Sequence, residues 1–153
     1  MNTTQYKAFM QSYVQFMEEL AASETEKYAS LVSYDLKRMD KAVSNQQAMN
    51  MRLNKMEEQR MEEQKLAGLE GLTFRQVLDR VEDPAERQEF TELFRRFESA
   101  VNDIKFYNGK SMAFAKEGLS MLGISEKEAQ AAPYSADGKR SEGANTSIFE
   151  AKV

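Results

Sequence analysis

Between Gln5 and Ala67 the chain holds neither glycine nor proline, and apolar side chains recur every three or four positions. They run Phe9, Tyr13, Phe16, Leu20, then Tyr28, Leu31, Val32, then Met39, Val43, Met49, Leu53 and Met56, with Gln46 keeping the step between the last groups. That spacing is the helical period diluted by polar residues, and it predicts one long helix over about 5–67. Such a helix would extend roughly 90 Å at ~1.5 Å per residue. It is therefore an extended rod or it bends, and the polar stretch SETEKYAS around Ser23 is a place for a kink or break.

The next stretch, LAGLEGLTFRQ, ends the pattern. Gly68 and Gly71 are helix-terminating signals. Thr73 with Gln76 three residues on is a capping box, and the short helix it opens, about 73–82, carries Phe74, Val77, Leu78 and Val81 on one face. A helix this short must dock on a larger body. Asp83 as cap with Pro84 at the first helical position starts the next helix. It runs over about 84–122 with Phe90, Leu93, Phe94, Phe97, Val101, Ile104, Met112 and Leu119 at helical spacing, and Gly123 stops it. From residue 124 the composition turns small and polar. A short helix at 125–132 is predicted, then a mobile tail to 153 that holds a last apolar island, SIFEAKV.

The predicted fold is all-α: an elongated antiparallel, coiled-coil-like helical hairpin (1–123) with a docking helix at its elbow and a flexible tail (124–153). The arms are unequal. Folding the second back along the first covers roughly residues 30–67 and leaves about 25 N-terminal residues, some 35 Å of helix, unpartnered. This overhang carries Phe9, Met10, Tyr13, Phe16 and Met17, and an exposed apolar stripe of that kind marks an interaction surface. The tail, a partner protein or a weak homodimer would cover it. Ten methionines, five of them from Met39 to Met61, suit surfaces that adapt to more than one partner.

Composition narrows the chemistry. There are no cysteines and no histidines, which removes disulfides, thiolate metal sites and histidine-based triads, so no metal and no cofactor is expected. A net charge of −4 argues against a nucleic-acid partner. The N-terminal stretch lacks the features of a signal peptide, and no stretch is apolar enough to insert in a membrane, so a soluble cytoplasmic protein is expected. The carboxylates Glu57, Glu58, Glu62 and Glu63 lack neighbouring bases and read as a solvated helix face; GLEGLT lacks the lysine and preceding strand of a phosphate loop. No enzyme is expected.

Three stretches carry a family resemblance: KMEEQRMEEQKLAGLEGLTFRQVLD, FRRFESAVNDIKFYNGKSMAFAKEGLSML and the final SIFEAKV. Together they resemble the FlgN-type flagellar export chaperones over about residues 8–123 plus the extreme end. Asn108 matches one of two asparagines frequent near the end of that family's last helix; Lys105 stands at the other. The resemblance implies a cytosolic chaperone of type III flagellar protein export. Its clients would be the hook-associated (hook–filament junction) proteins, held by their C-terminal amphipathic helices against premature self-association. The positions implied for client binding are Phe106, Met112, Phe114, Leu119, Met121 and Leu122. Docking on the cytosolic domain of the export gate would fall to Tyr134, with Ile148 and Phe149 second. A relative serving filament subunits or the filament cap would differ only in client. The alternative of another class is a homo-oligomeric coiled-coil scaffold or adaptor. The irregular heptads, the reversal at the elbow and the bulk of Phe90, Phe94 and Phe97 disfavour it.

Overall fold

The computed structural model describes residues 1–123. These form four helices: α1 (Thr4–Ser33), α2 (Leu36–Leu66), α3 (Phe74–Arg80) and α4 (Pro84–Met121). The predicted tail, including its helix at 125–132, lies outside the described residues.

The elbow follows its local chemistry. Gly68 (φ +78°) and Gly71 (φ +74°) take left-handed backbone that a side chain would oppose. The Thr73 hydroxyl then accepts from the Gln76 amide at 3.3 Å, and the Gln76 side chain accepts from the Thr73 amide at 2.9 Å. The Asp83 carboxylate accepts from the Glu86 amide at 3.3 Å, with Pro84 in the first turn of α4. The docking helix α3 lays Phe74 flat on Phe94 (centroids 4.3 Å, planes 4° apart) and edge-on to Phe97 (5.1 Å). α2 and α4 extend from this elbow to the same side with opposed chain directions, both alongside α1.

The first arm differs from its prediction: it is folded in two. α1 stops at Ser33, Tyr34 takes left-handed backbone (φ +58°), and Asp35 caps α2 by accepting from the Arg38 amide at 3.2 Å. Tyr34 stands where glycine is usual at such a stop, and a serine side chain secures the turn. Ser33 Oγ donates to the Ser30 carbonyl at 2.6 Å and accepts from the Asp35 amide at 3.2 Å. Across the turn Arg38 clasps Glu26 at 2.7 and 3.0 Å. The polar stretch at Ser23 stays helical.

This turn sends α2 back along α1, so that Tyr6 meets Gln64, Tyr13 meets Glu57 and Ser23 meets Gln46. α4, coming back from the elbow, then runs parallel to α1. Tyr6 lies against Phe90 (5.7 Å), Tyr13 against Phe97 (5.1 Å), Tyr28 against Tyr107 (6.3 Å) and Tyr34 against Phe114 (5.9 Å). α1 is thus the central rod, packed against both α2 and α4. The expected unpartnered N-terminal overhang does not exist: Phe9, Met10, Tyr13, Phe16 and Met17 are buried in the main core with Leu53, Leu69, Val77, Phe90 and Phe94. The chain reversal at Tyr34 is the physical reason, because it supplies two partners where the single-hairpin geometry had none. Met49 and Met56 pack at the edge of this core, filling gaps as methionine does.

Candidate functional site

One polar cluster lies inside the fold. Arg60 forks onto Glu57 (Nη2 to Oε1 2.7 Å, Nε to Oε2 3.0 Å) and donates to Gln64 at 2.7 Å. Tyr13 donates to Glu57 at 2.8 Å. Gln64 donates to the Leu69 and Leu72 carbonyls at 2.8 and 2.6 Å, tying α2 to the elbow. Burial pushes the Tyr6 phenol up to about 12 despite the lowering influence of Arg60, and burial next to the Glu57 carboxylate raises Tyr13 as well. The prediction that Glu57 sits on a solvated face is therefore corrected, since it is 6% exposed; Glu58 and Glu62 are exposed and Glu63 is half-buried. Partners within the fold satisfy the cluster, and its residues are buried. Its effect is to set the register of α2 against α1, because a slip would strand a buried guanidinium.

A groove of about 560 Å³ between α1 and α4 is lined by Gln11, Ala85, Gln88, Glu89, Glu92 and Leu93. Its carboxylates are matched, Glu89 by Lys7 at 2.9 Å and Glu92 by Arg95 at 2.6 Å. Among the described residues no group of three or more His, Cys, Asp or Glu side chains could hold a metal, and no helix is long and apolar enough to cross a membrane.

The surface that stands out is the end of the molecule opposite the elbow. α4, at 38 residues, outruns α1, at 30. Tyr34, where α1 has ended, already lies beside Phe114. The last two turns of α4, about 10 Å of helix, project past that point. The core-facing register of α4 runs Phe97, Val101, Ile104, Asn108, Ser111, Ala115, Gly118 and Leu122, in steps of three and four. It is buried as far as Ser111 but for the half-buried Asn108, and exposed from Ala115 onward. Around it Phe106 (58%), Met121 (84%) and Leu122 (75%) are exposed, as is Met112; Phe114 and Leu119 are half-buried. Val32, Tyr34 and Leu36 from the α1–α2 turn are exposed at the same end. The sequence reading placed these three mid-helix and did not select them. The signal available was Asp35 three residues before Arg38, a cap embedded in a continuous helical pattern.

A lysine borders the apolar side chains. Lys110 Nζ lies 5.1 Å from the Phe106 ring and 4.9 Å from that of Tyr28, and Phe106 meets Tyr107 edge-on at 5.1 Å. Asn108 accepts from Lys27 at 3.1 Å and so joins α4 to α1. Lys27 in turn lies 2.9 Å from Glu24.

The structure thus divides the candidates. Phe106, Met112, Phe114, Leu119, Met121 and Leu122 gather at one end of α4. Phe9, Met10, Tyr13, Phe16 and Met17 leave the accessible set for the core. Tyr134, Ile148 and Phe149 lie outside the described residues. No family model, curated protein or solved structure matches the chain.

Proposed function

We propose that the chain is a cytosolic FlgN-type chaperone of flagellar type III export. It would hold the C-terminal amphipathic helices of hook–filament junction proteins on the distal end of α4. The observation that carries this reading is the exposure of Phe106, Met112, Met121 and the cap residue Leu122 on a helix whose other large apolar side chains are buried or half-buried. A helix that leaves apolar side chains exposed along its distal part offers a surface to another amphipathic helix, the helix-in-groove mode of recognition. Methionines at two of the four exposed positions suit a surface that takes more than one client sequence. The family resemblance selects the client class, and Tyr134, Ile148 and Phe149 are the residues proposed to meet the export gate. Catalysis has no part in this role.

The test is size-exclusion chromatography with light scattering, on the chain alone and mixed with C-terminal fragments of hook–filament junction proteins. A stoichiometric complex is expected, lost when Phe106 and Met121 are both replaced by serine. A stable homo-oligomer indifferent to every such fragment would remove the chaperone reading and favour a scaffold.

A further inference from the structure

The exposed end of α4 lies where the rest of the chain begins. Beyond Tyr134, residues 135–147 contain no apolar side chain larger than alanine; Ile148, Phe149 and Val153 then follow as an isolated group. One chain therefore carries an exposed apolar helix end and an apolar sequence island, joined by the 24 residues 124–147. We propose that residues 144–153 fold back and cover the distal end of α4 in the same molecule, with Phe149 and Ile148 against the Leu119–Leu122 turn.

Reach and tethering support this occupant over a second copy, and charge is compatible with it. A 24-residue connection spans roughly 25–30 Å as a coil and about 36 Å as a helix. The exposed stretch from Phe106 to Leu122 is about 24 Å long, so either connection reaches all of it. Tethering at such a distance supplies an effective concentration on the order of millimolar, so contacts too weak to hold a second molecule suffice. Glu150, adjacent to Phe149, would meet Lys110, which lies beside the Phe106 and Tyr28 rings.

The consequence, competition between this segment and a client, rests on the proposed function. A client taking the surface would displace Ile148 and Phe149 and make them available to a further partner, so that loading precedes delivery. Replacing both by serine would then tighten client binding about tenfold if the cover is closed nine-tenths of the time.

The cover itself is tested without any client. The chain has no native cysteine, so Ser147→Cys offers a single attachment point for a nitroxide on the full-length protein. Amide signals of Val32, Tyr34, Leu36 and residues 106–122 should lose about twofold or more in intensity, as for a segment docked most of the time. Ile148→Ser with Phe149→Ser should restore them, and the Tyr6–Leu20 signals should stay unchanged. Mixing labelled chain with isotope-enriched unlabelled chain should produce no loss. Absence of the effect, its appearance on Tyr6–Leu20, or its appearance in the mixture, which would assign the surface to a second copy, overturns the proposal. Fragments that fail to bind, with the broadening intact, would remove the chaperone reading and leave the cover standing.

Discussion

The two halves of the helical body are built from different materials. Toward the elbow, α1 presents Tyr6, Met10, Tyr13, Met17 and Leu20 to Phe90, Phe94, Phe97, Val101 and Ile104 of α4, all buried. Toward the α1–α2 turn, the buried positions of α1 become Ser23, Glu24, Lys27 and Ser30, and those of α2 and α4 become Ala42, Gln46 and Ser111. The large apolar side chains of this second half lie outside the helix seams instead, as Val32, Leu36, Phe106 and Met112 do. Fully burying a phenylalanine or leucine stabilises by about 1.5–3 kcal/mol, whereas a neutral hydrogen bond nets about 1. The elbow half therefore holds the fold, and the distal half is left in register but weakly secured. A body anchored at one end can spend the apolar residues of the other on binding.

Breaking the anchored half should have the largest effect. Phe97→Ala removes a ring packed on both Tyr13 and Phe74 and should cost about 3–5 kcal/mol in equilibrium denaturation. Phe106→Ala at the distal end should stay within about 0.5 kcal/mol. Comparable losses at the two positions would end the distinction between the halves. Glu57→Ala should be nearly as severe as Phe97→Ala, about 3 kcal/mol, because Arg60 stays buried without its anion and Tyr13 loses its acceptor.

Alkali should act on the same half. The folded pKa values of Tyr6 and Tyr13 are raised above the ordinary tyrosine value, so the folded state keeps protons that the unfolded chain gives up. Their contribution is complete below pH 10 and is lost as pH rises from 10 toward 12. Thermal melts between pH 8 and 11 should show the fall beginning near 10, and Tyr13→Phe should make it shallower. Within the elbow half the smallest effect belongs to the cap. Thr73→Ala should cost about 1 kcal/mol, read from the shift in denaturation midpoint with unchanged slope.

How far the sequence could be read follows from where its signals are local. The elbow was legible because glycine, proline and capping residues act within a few positions: Gly68, Gly71, Thr73 with Gln76, Asp83 with Pro84. The docking face of α3 followed from its periodicity, and Phe74, Val77 and Val81 are buried as expected. The turn at Tyr34 was not legible, because it is made without glycine or proline. A tyrosine occupies the left-handed position while Ser33, Asp35 and Arg38 supply the hydrogen bonds, and helical spacing continues across it. That one turn decides whether Phe9 to Met17 are surface or core, so the candidate site moved with it. Glu57 was misread for a related reason. Its partners Arg60 and Tyr13 lie three and 44 positions away, and only the second folding of the chain brings Tyr13 beside it. Among the α4 candidates, Met121 and Leu122 are exposed because α4 outruns α1, whereas Phe106 and Met112 are exposed alongside α1.

The most direct test of the division is hydrogen exchange on the full chain, with and without a C-terminal fragment of a hook–filament junction protein. The amides of residues 106–122 should exchange fastest among the helical residues of the free chain and gain protection in the complex. Those of Tyr6–Leu20 and Phe90–Ile104 should be slow in both states. Uniform protection along α4 in the free chain, or new protection centred on α3 and the elbow, would contradict the account.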